Sequence, residues 1–435
     1  MSPLRLRLSR RDLLIAGTAL PLGLSRCRGR LERPHVVLVT LDTTRRDRLG
    51  CYGYSRPTSP NLGVLAGRSV VFDRAVAASS WTLPSHASIF TGKFPSSHGA
   101  DYDPKGPLRL TQAIEGPEEW AEYRASGLSP SETTLALLLR EQGYETAAVV
   151  GGPWMKRVFG LDRGFATYDD DDIGDVNGRL ASEVTTSALE LLEGLEKRPG
   201  RPFFLFLNYF DPHGPYEAPS PFGGSFGEEP SDRYDEEILY MDHHIGRLLD
   251  GLKREGLFED SLILVTADHG ELLGEHGKMG HGASLFEEEI HVPFLVKYPG
   301  DEVAPGRSGE PVHHVDVLPL ILERLGLSPT GRSRQPLFAE VSPLAFVSTE
   351  GSWRALYLGR HKLLWNSLGN HALYDLEEDP GERNDLSRID PARTTEAIAL
   401  LDKVLASLPS PGEAGPPTTL DEETLRELRS LGYVP

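Results

Sequence analysis

Asp268 and His269 are adjacent in the chain, a carboxylate beside an imidazole, and that pair suits a divalent metal ion. Asp42 and Asp211 are further carboxylates that, like Asp268, stand just beyond continuous apolar runs. One aspartate in such a place means little, since it often caps a helix. Two, with an adjacent histidine, shift the reading toward metal. The segment Ser80-Trp81-Thr82-Leu83-Pro84-Ser85-His86 offers a hydroxyl, Thr82, where a helix should begin, with Pro84 in the first turn. By itself Thr82 reads as a helix cap. The second reading turns its hydroxyl toward a metal and an anionic centre, which the free N–H groups and dipole of a helix N-terminus favour. Local sequence alone favours the cap.

These residues need strands and helices to bring them together. Residues 34–41, 144–150, 202–207 and 261–266 are continuous apolar runs, which read as strands buried on both faces of a parallel sheet. Helical patterns lie between them: 131–142, beginning at a Ser131 cap and stopping at Gly143, then 182–197 and 234–255. The expected fold is α/β, a sandwich with a large, mostly parallel central sheet flanked by helices. Ligands of such sheets bind beyond the carboxyl ends of the strands. Asp42, Asp211 and Asp268 all fall there. After residue 340, short runs at 344–348, 354–358, 362–365 and 372–374 predict a small antiparallel sheet. Helices follow at 391–407 and 420–430. The stretch 101–130 shows no period and reads as an inserted loop; 169–172 is acidic and reads as a solvated loop.

At 435 residues the chain exceeds the ~250–300 that one core serves, so we expect a catalytic unit at 34–335, a C-terminal antiparallel unit at 340–390 and a helical tail at 391–435. The composition, 39% hydrophobic and 25% charged, is that of a globular enzyme. A net charge of −19 argues against nucleic-acid binding, which needs a basic surface. The only cysteines, Cys27 and Cys51, form no disulfide framework. Residues 1–30 read as an export segment. Ser9-Arg10-Arg11-Asp12-Leu13-Leu14 resembles a twin-arginine motif, and the apolar run 13–24 falls short of the ~20 residues a bilayer span needs. No later stretch reads as transmembrane. A periplasmic or cell-envelope location is expected. Arg26 just before Cys27 argues against lipoprotein anchoring there.

Thr82 to Gly92 is similar to the sulfatase signature, in which a Cys or Ser is followed by x-Pro-Ser-Arg and later a Thr-Gly pair. Leu41-Asp42-Thr43-Thr44-Arg45 through Tyr52-Gly53 resembles the opening metal motif. Asp211-Pro212-His213-Gly214-Pro215-Tyr216 resembles the His-x-Pro-Tyr substrate loop. Asp268-His269-Gly270-Glu271, with Gly277-Lys278 and His281 beyond, resembles the second metal motif. Leu373-Tyr374-Asp375-Leu376 through Pro380 resembles a C-terminal hallmark. Together these ordered segments resemble the sulfatase family of the alkaline-phosphatase superfamily over about residues 34–390. The resemblance implies one divalent ion on Asp42, Thr82, Asp268 and His269, catalytic roles for Thr82, His213, Lys278 and His281, and weaker substrate contacts from His86 and His98.

The departures redirect the chemistry. Sulfatases oxidise the signature Cys or Ser to formylglycine, and Thr82 cannot yield that aldehyde. His86 replaces the signature Arg, Thr43 replaces the second Asp of the metal pair, and Gly151-Gly152-Pro153-Trp154 stands where a Gly-Lys-Trp-His segment is expected. Threonine nucleophiles occur in phosphodiesterase and phosphoethanolamine-transferase relatives. The expectation is a hydrolase of phosphate mono- or diesters, acting on an anionic small molecule or a glycan or lipid ester. The alternatives are a sulfuric ester hydrolase, a phospho-group transferase of the cell envelope, and a non-catalytic binding protein of the same fold. Fewer carboxylates and a histidine tilt the metal from calcium toward zinc or manganese, with magnesium also admissible. A second ion on Asp211, His213 and His281 is a further option.

Overall fold

The computed structural model describes residues 33–196, 200–300, 302–327, 337–343 and 350–411. The export segment, the strand expected at 344–348 and the helix expected at 420–430 lie outside these residues. Eight strands form the central sheet, in the order 306–313, 70–76, 294–297, 261–267, 35–41, 203–209, 145–150 and 167–169. Only Phe294–Lys297 runs against the rest, pairing antiparallel with both of its neighbours. The expected mostly parallel sheet is therefore present.

The apolar runs fold as they do because both faces of the sheet are covered. His35–Leu41, Phe203–Tyr209 and Ser261–Ala267 are buried along their whole lengths. Alternation has no meaning there, since neither side meets water. The register aligns Leu41 with both Tyr209 and Ala267, so the three strands end level. That alignment places Asp42 and Asp268 next to one another at the carboxyl edge. Phe90, Phe165, Phe204 and Phe206 pack beneath that edge, with the Phe90 and Phe206 ring centroids 4.8 Å apart and near perpendicular. Each buried ring contributes roughly 1.5–3 kcal/mol.

Helix Thr82–Thr91 is buried at every position. Small and apolar residues all round it allow this. It stops at Gly92, whose φ of 67° is left-handed and whose N–H bonds Ser88 O at 2.9 Å. Helices Ala181–Glu196 and Pro230–Arg254 pack against each other on one face of the sheet. The helix expected from Ser131 begins instead at Leu135, because Thr134 Oγ1 accepts from Leu137 N at 3.2 Å. Ser131 meets Ser129 instead. The supposed loop at 101–130 contains a three-stranded sheet of Asp101–Tyr102, Arg124–Ser126 and Leu108–Arg109. Strands of two or three residues are too short to show a period. The acidic run is not simply solvated either: Asp170 is buried and ion-paired with Arg157.

Four antiparallel strands, Phe338–Val341, Trp353–Leu358, His361–Asn366 and Ala372–Asp375, form the small C-terminal sheet, and helix Pro391–Ser407 covers it. Among the described residues, no helix is long and apolar enough to cross a membrane.

Candidate active site

Asp42, Asp268 and His269 meet beyond the ends of the two central strands, each offering a ligand atom within 4.8 Å of the others. All three are fully buried. His269 Nε2 lies 3.4 Å from Asp268 Oδ2 and 3.9 Å from Asp42 Oδ1. The Thr82 hydroxyl lies 3.5 Å from the same nitrogen. Thus the helix start and the strand ends converge, as the sequence reading required. Trp81, not Thr82, holds the cap position, and Thr82 is the first helical residue. Its hydroxyl is free of capping duty.

The donor set fits a cation. Buried polar atoms normally have partners. Here Asp42 Oδ1, Asp42 Oδ2 and Asp268 Oδ2 have none. Asn208 and Thr82 approach Asp42 closely enough to hold its carboxyl down, but neither makes a well-directed hydrogen bond to it. Burial dominates and pushes Asp42 up to about 8. It pushes Asp268 well above the carboxylate range, with the Asp42 charge adding to it. His269 Nδ1 lies 3.0 Å from Gly270 O, so Nδ1 carries the proton and the Nε2 lone pair faces the carboxylates. Burial lowers this imidazole to about 3, and a neutral imidazole is the form that binds metal. Asp268 Oδ1 is fixed by the amides of His269 and Thr43, at 2.8 and 3.2 Å. Thr43 sits at a left-handed φ of 48°, its hydroxyl spent on Pro212 O at 2.6 Å.

Two more histidines close over this group. The His281 ring lies 4.5 Å from that of His269, and its Nε2 is 3.3 Å from His213 Nε2. His213 Nδ1 donates to Gly214 O at 2.9 Å, leaving His213 Nε2 as the acceptor. The shared proton therefore belongs to His281 Nε2. Burial holds His213 down to about 4 and His281 well below the usual imidazole range.

Lys278 takes a different place: its ammonium pairs with Glu350 at 2.8 Å, and no hydrogen bond joins it to Thr82. His86 touches the nucleophile's backbone, with Nδ1 donating to Thr82 O at 2.9 Å and Nε2 lying 2.9 Å from Thr40 Oγ1. Both ring nitrogens are thereby committed. His98 lies 3.0 Å from Ser88 Oγ, buried beneath the same helix. Asp211 is turned away, its Oδ2 accepting from Ala181 N at 2.8 Å and capping that helix. Among the described residues it joins no metal-holding group.

Asn208 was not singled out from sequence, and Tyr216 and Glu271 stood there only as members of motifs, without a role of their own. Asn208 Oδ1 takes the amides of Gly151 and Gly152, at 3.3 and 3.0 Å. An asparagine inside an apolar strand run was the available signal. Side chains would not fit at those glycines: a Cβ on Gly152 would lie 2.9 Å from Phe210 Cδ2. Glu271 is buried, one oxygen unpartnered, beside Tyr216 and the Asp42 charge.

A family model described as Sulfatase matches residues 34–327. The chain belongs to the sulfatase family. Within the alkaline-phosphatase superfamily, this membership makes it a hydrolase of sulfuric or phosphoric esters. It is similar to an ulvan-active sulfatase of Formosa agariphila, 24% identical over 86% of this chain and 82% of the relative. It is similar to bovine arylsulfatase A, 26% identical over 81% of this chain and 83% of the relative. Among solved structures it resembles a phosphonate monoester hydrolase of Agrobacterium radiobacter, with TM-score 0.67 and 19% identity, covering 86% of this chain and 96% of that one. The last likeness concerns the fold alone.

Proposed function

We propose that this sulfatase-family chain is a metal-dependent hydrolase of phosphate mono- or diesters, with Thr82 as nucleophile and a covalent intermediate. The observation that carries this is Thr82 itself, a hydroxyl 3.5 Å from His269 Nε2 at the place of the formylglycine precursor. A formylglycine hydrate expels sulfate by collapse of its second hydroxyl. A threonine ester has no such hydroxyl and must be cleaved by water, a route suited to phosphothreonine.

Asp42, Asp268, His269 and the Thr82 oxygen would hold one divalent ion, which supplies charge neutralisation and a lowered hydroxyl pKa. Two carboxylates, an imidazole and a hydroxyl favour zinc or manganese over calcium or magnesium. Thr82 Oγ gives up its proton to solvent as it forms a bond to phosphorus in line with the departing oxygen, and the ester P–O bond breaks. With the anionic ester bound, His281 would take a proton from solvent on its unpartnered Nδ1, and the imidazolium so formed delivers its Nε2 proton to the departing alkoxide and ends neutral, while His213 Nε2, its resting acceptor, keeps the ring in place. Lys278 exchanges Glu350 for the equatorial oxygens. Water then attacks phosphorus, and Thr82 leaves with a proton. His86 positions Thr82 through its carbonyl.

On this account His281→Ala slows hydrolysis of alkyl esters by ~10²–10⁴-fold while metal content, read by elemental analysis, stays unchanged. Nitrophenyl esters, whose leaving group needs no proton, lose much less.

The sulfuric ester reading stays in play because both curated relatives named above are sulfatases. An anionic glycan ester would suit it equally. Metal-reconstituted protein given matched aryl phosphate, aryl methyl phosphate and aryl sulfate should turn over the phosphorus esters faster. Dominant sulfate turnover would overturn the substrate assignment. No turnover of any ester would point to a binding protein.

A further inference from the structure

Helix Thr82–Thr91 begins without a side-chain cap, since Trp81 at the cap position makes no such bond. The residue that carries the nucleophile is therefore not fixed by its own chain neighbours. A line of side chains from the central sheet reaches it instead, and donors and acceptors along that line can be assigned one at a time. Asn208 Oδ1 accepts the amides of Gly151 and Gly152, so Nδ2 is the donor, and it donates to Thr40 Oγ1 at 3.3 Å. The Thr40 hydroxyl has two acceptors in reach, Leu207 O at 3.5 Å and His86 Nε2 at 2.9 Å, and the ring is the nearer. His86 Nδ1 donates to Thr82 O at 2.9 Å, which leaves Nε2 as the lone pair that the Thr40 proton fills.

The line is anchored and dry. Thr40 and Asn208 are register partners on His35–Leu41 and Phe203–Tyr209, so it starts on two paired strands. Thr40, His86 and Asn208 are fully buried, and the His86 ring meets the Phe206 and Phe90 rings at centroid distances of 5.9 and 6.4 Å. Asn208 also approaches Asp42, so one amide faces both a metal-site carboxylate and the line to Thr82.

We propose that Thr40 is a positioning residue for the nucleophile: its hydroxyl holds His86 in the tautomer and orientation that fix the Thr82 carbonyl, and with it the Thr82 hydroxyl 3.5 Å from His269 Nε2. A buried acceptor that loses its donor is costly to leave unpaired, so the ring turns and its hold on Thr82 loosens. A displacement of about 1 Å at a reacting atom can cost about 10²-fold. The chemical step, not substrate binding, bears that loss. This inference rests on Thr82 as nucleophile and not on which ester it attacks.

The test is steady-state kinetics of the metal-loaded full-length protein on whichever of aryl phosphate, aryl methyl phosphate and aryl sulfate it turns over fastest. Thr40→Val keeps the shape and strand preference of the side chain and removes the proton donor. Its kcat should fall at least tenfold, with KM within threefold and metal content unchanged. Thr40→Ser restores the hydroxyl and should bring kcat back to within threefold of wild type. In a His86→Leu background the valine substitution should cost nothing further, because the line is already cut. A Thr40→Val enzyme with kcat within twofold of wild type, or one that loses as much without His86 as with it, would overturn the proposal. Thr40→Ala, set against the same serine variant, serves if valine prevents folding. Turnover surviving in Thr82→Ala, or absent from wild type, would instead overturn the nucleophile reading. Backbone amide exchange over residues 82–86 then still reports the tie: faster exchange in Thr40→Val than in Thr40→Ser supports it, and equal exchange overturns it.

Discussion

Thr82→Ala abolishes turnover, lowering kcat/KM on an aryl phosphodiester by at least ~10⁴-fold, the scale on which loss of a nucleophile is felt. The fold should survive this change. Thr82 is not the cap of its helix, and no side-chain cap bond is lost. The helix remains held by its burial and by Ser85, whose hydroxyl donates to Asp268 O at 2.6 Å. Thr82→Ser keeps the hydroxyl and should retain activity within about tenfold. Melting curves that match wild type, together with the two kinetic results, separate loss of a reacting atom from loss of structure. Activity surviving in the alanine variant would remove Thr82 from the mechanism.

Chelation of the metal produces the second large effect, and it grows with pH. In the chelated protein, burial holds the Asp42 carboxyl up to about 8, against 3.8 for the free group. The folded chain therefore prefers the neutral carboxyl, while the unfolded chain releases its proton near 3.8. Stability from this group is fully present below that value and drains away as pH rises toward 8. Asp268 shifts in the same direction, through burial and the Asp42 charge. A bound divalent ion reverses the sense, since it needs both carboxylates ionised. Ligand present at 1,000 times its Kd adds about 4 kcal/mol. The gap in Tm between metal-loaded and chelated protein should thus widen from pH 5 to pH 8, and hydrolysis should disappear on chelation and return with zinc or manganese. A gap that is constant or narrows with pH would contradict the assignment of these carboxylates as ligands.

Much of the scaffold was legible because its strands are buried on both faces. Unbroken runs such as 34–41 and 261–266 match His35–Leu41 and Ser261–Ala267 closely. Gly306–His313 was missed for the opposite reason. It is an edge strand, largely exposed, with glycine and proline inside it, and so carries no apolar run. Phe294–Lys297 is four residues long and cannot be told from a fragment of helix by periodicity. At the site, Asp42, Asp268 and His269 could be read because each follows a recognisable strand. Asn208 could not, because its role depends on which glycines face it across the sheet. The Lys278–Glu350 pair joins positions 72 residues apart and leaves no local mark. Asp211 misled for a related reason: a carboxylate past a strand end serves equally well as a helix cap, and here Ala181 N takes it.

The central claim is a covalent ester on Thr82, and trapping it is the most direct measurement. Metal-loaded protein mixed with excess aryl phosphate and quenched in acid within one turnover should yield a peptide carrying phosphothreonine at Thr82, located by fragmentation in a mass spectrometer. The same peptide from His281→Ala protein should still accumulate the adduct when the leaving group is nitrophenol. An unmodified Thr82 peptide during steady turnover, or a phosphoryl group on another residue, would contradict the account.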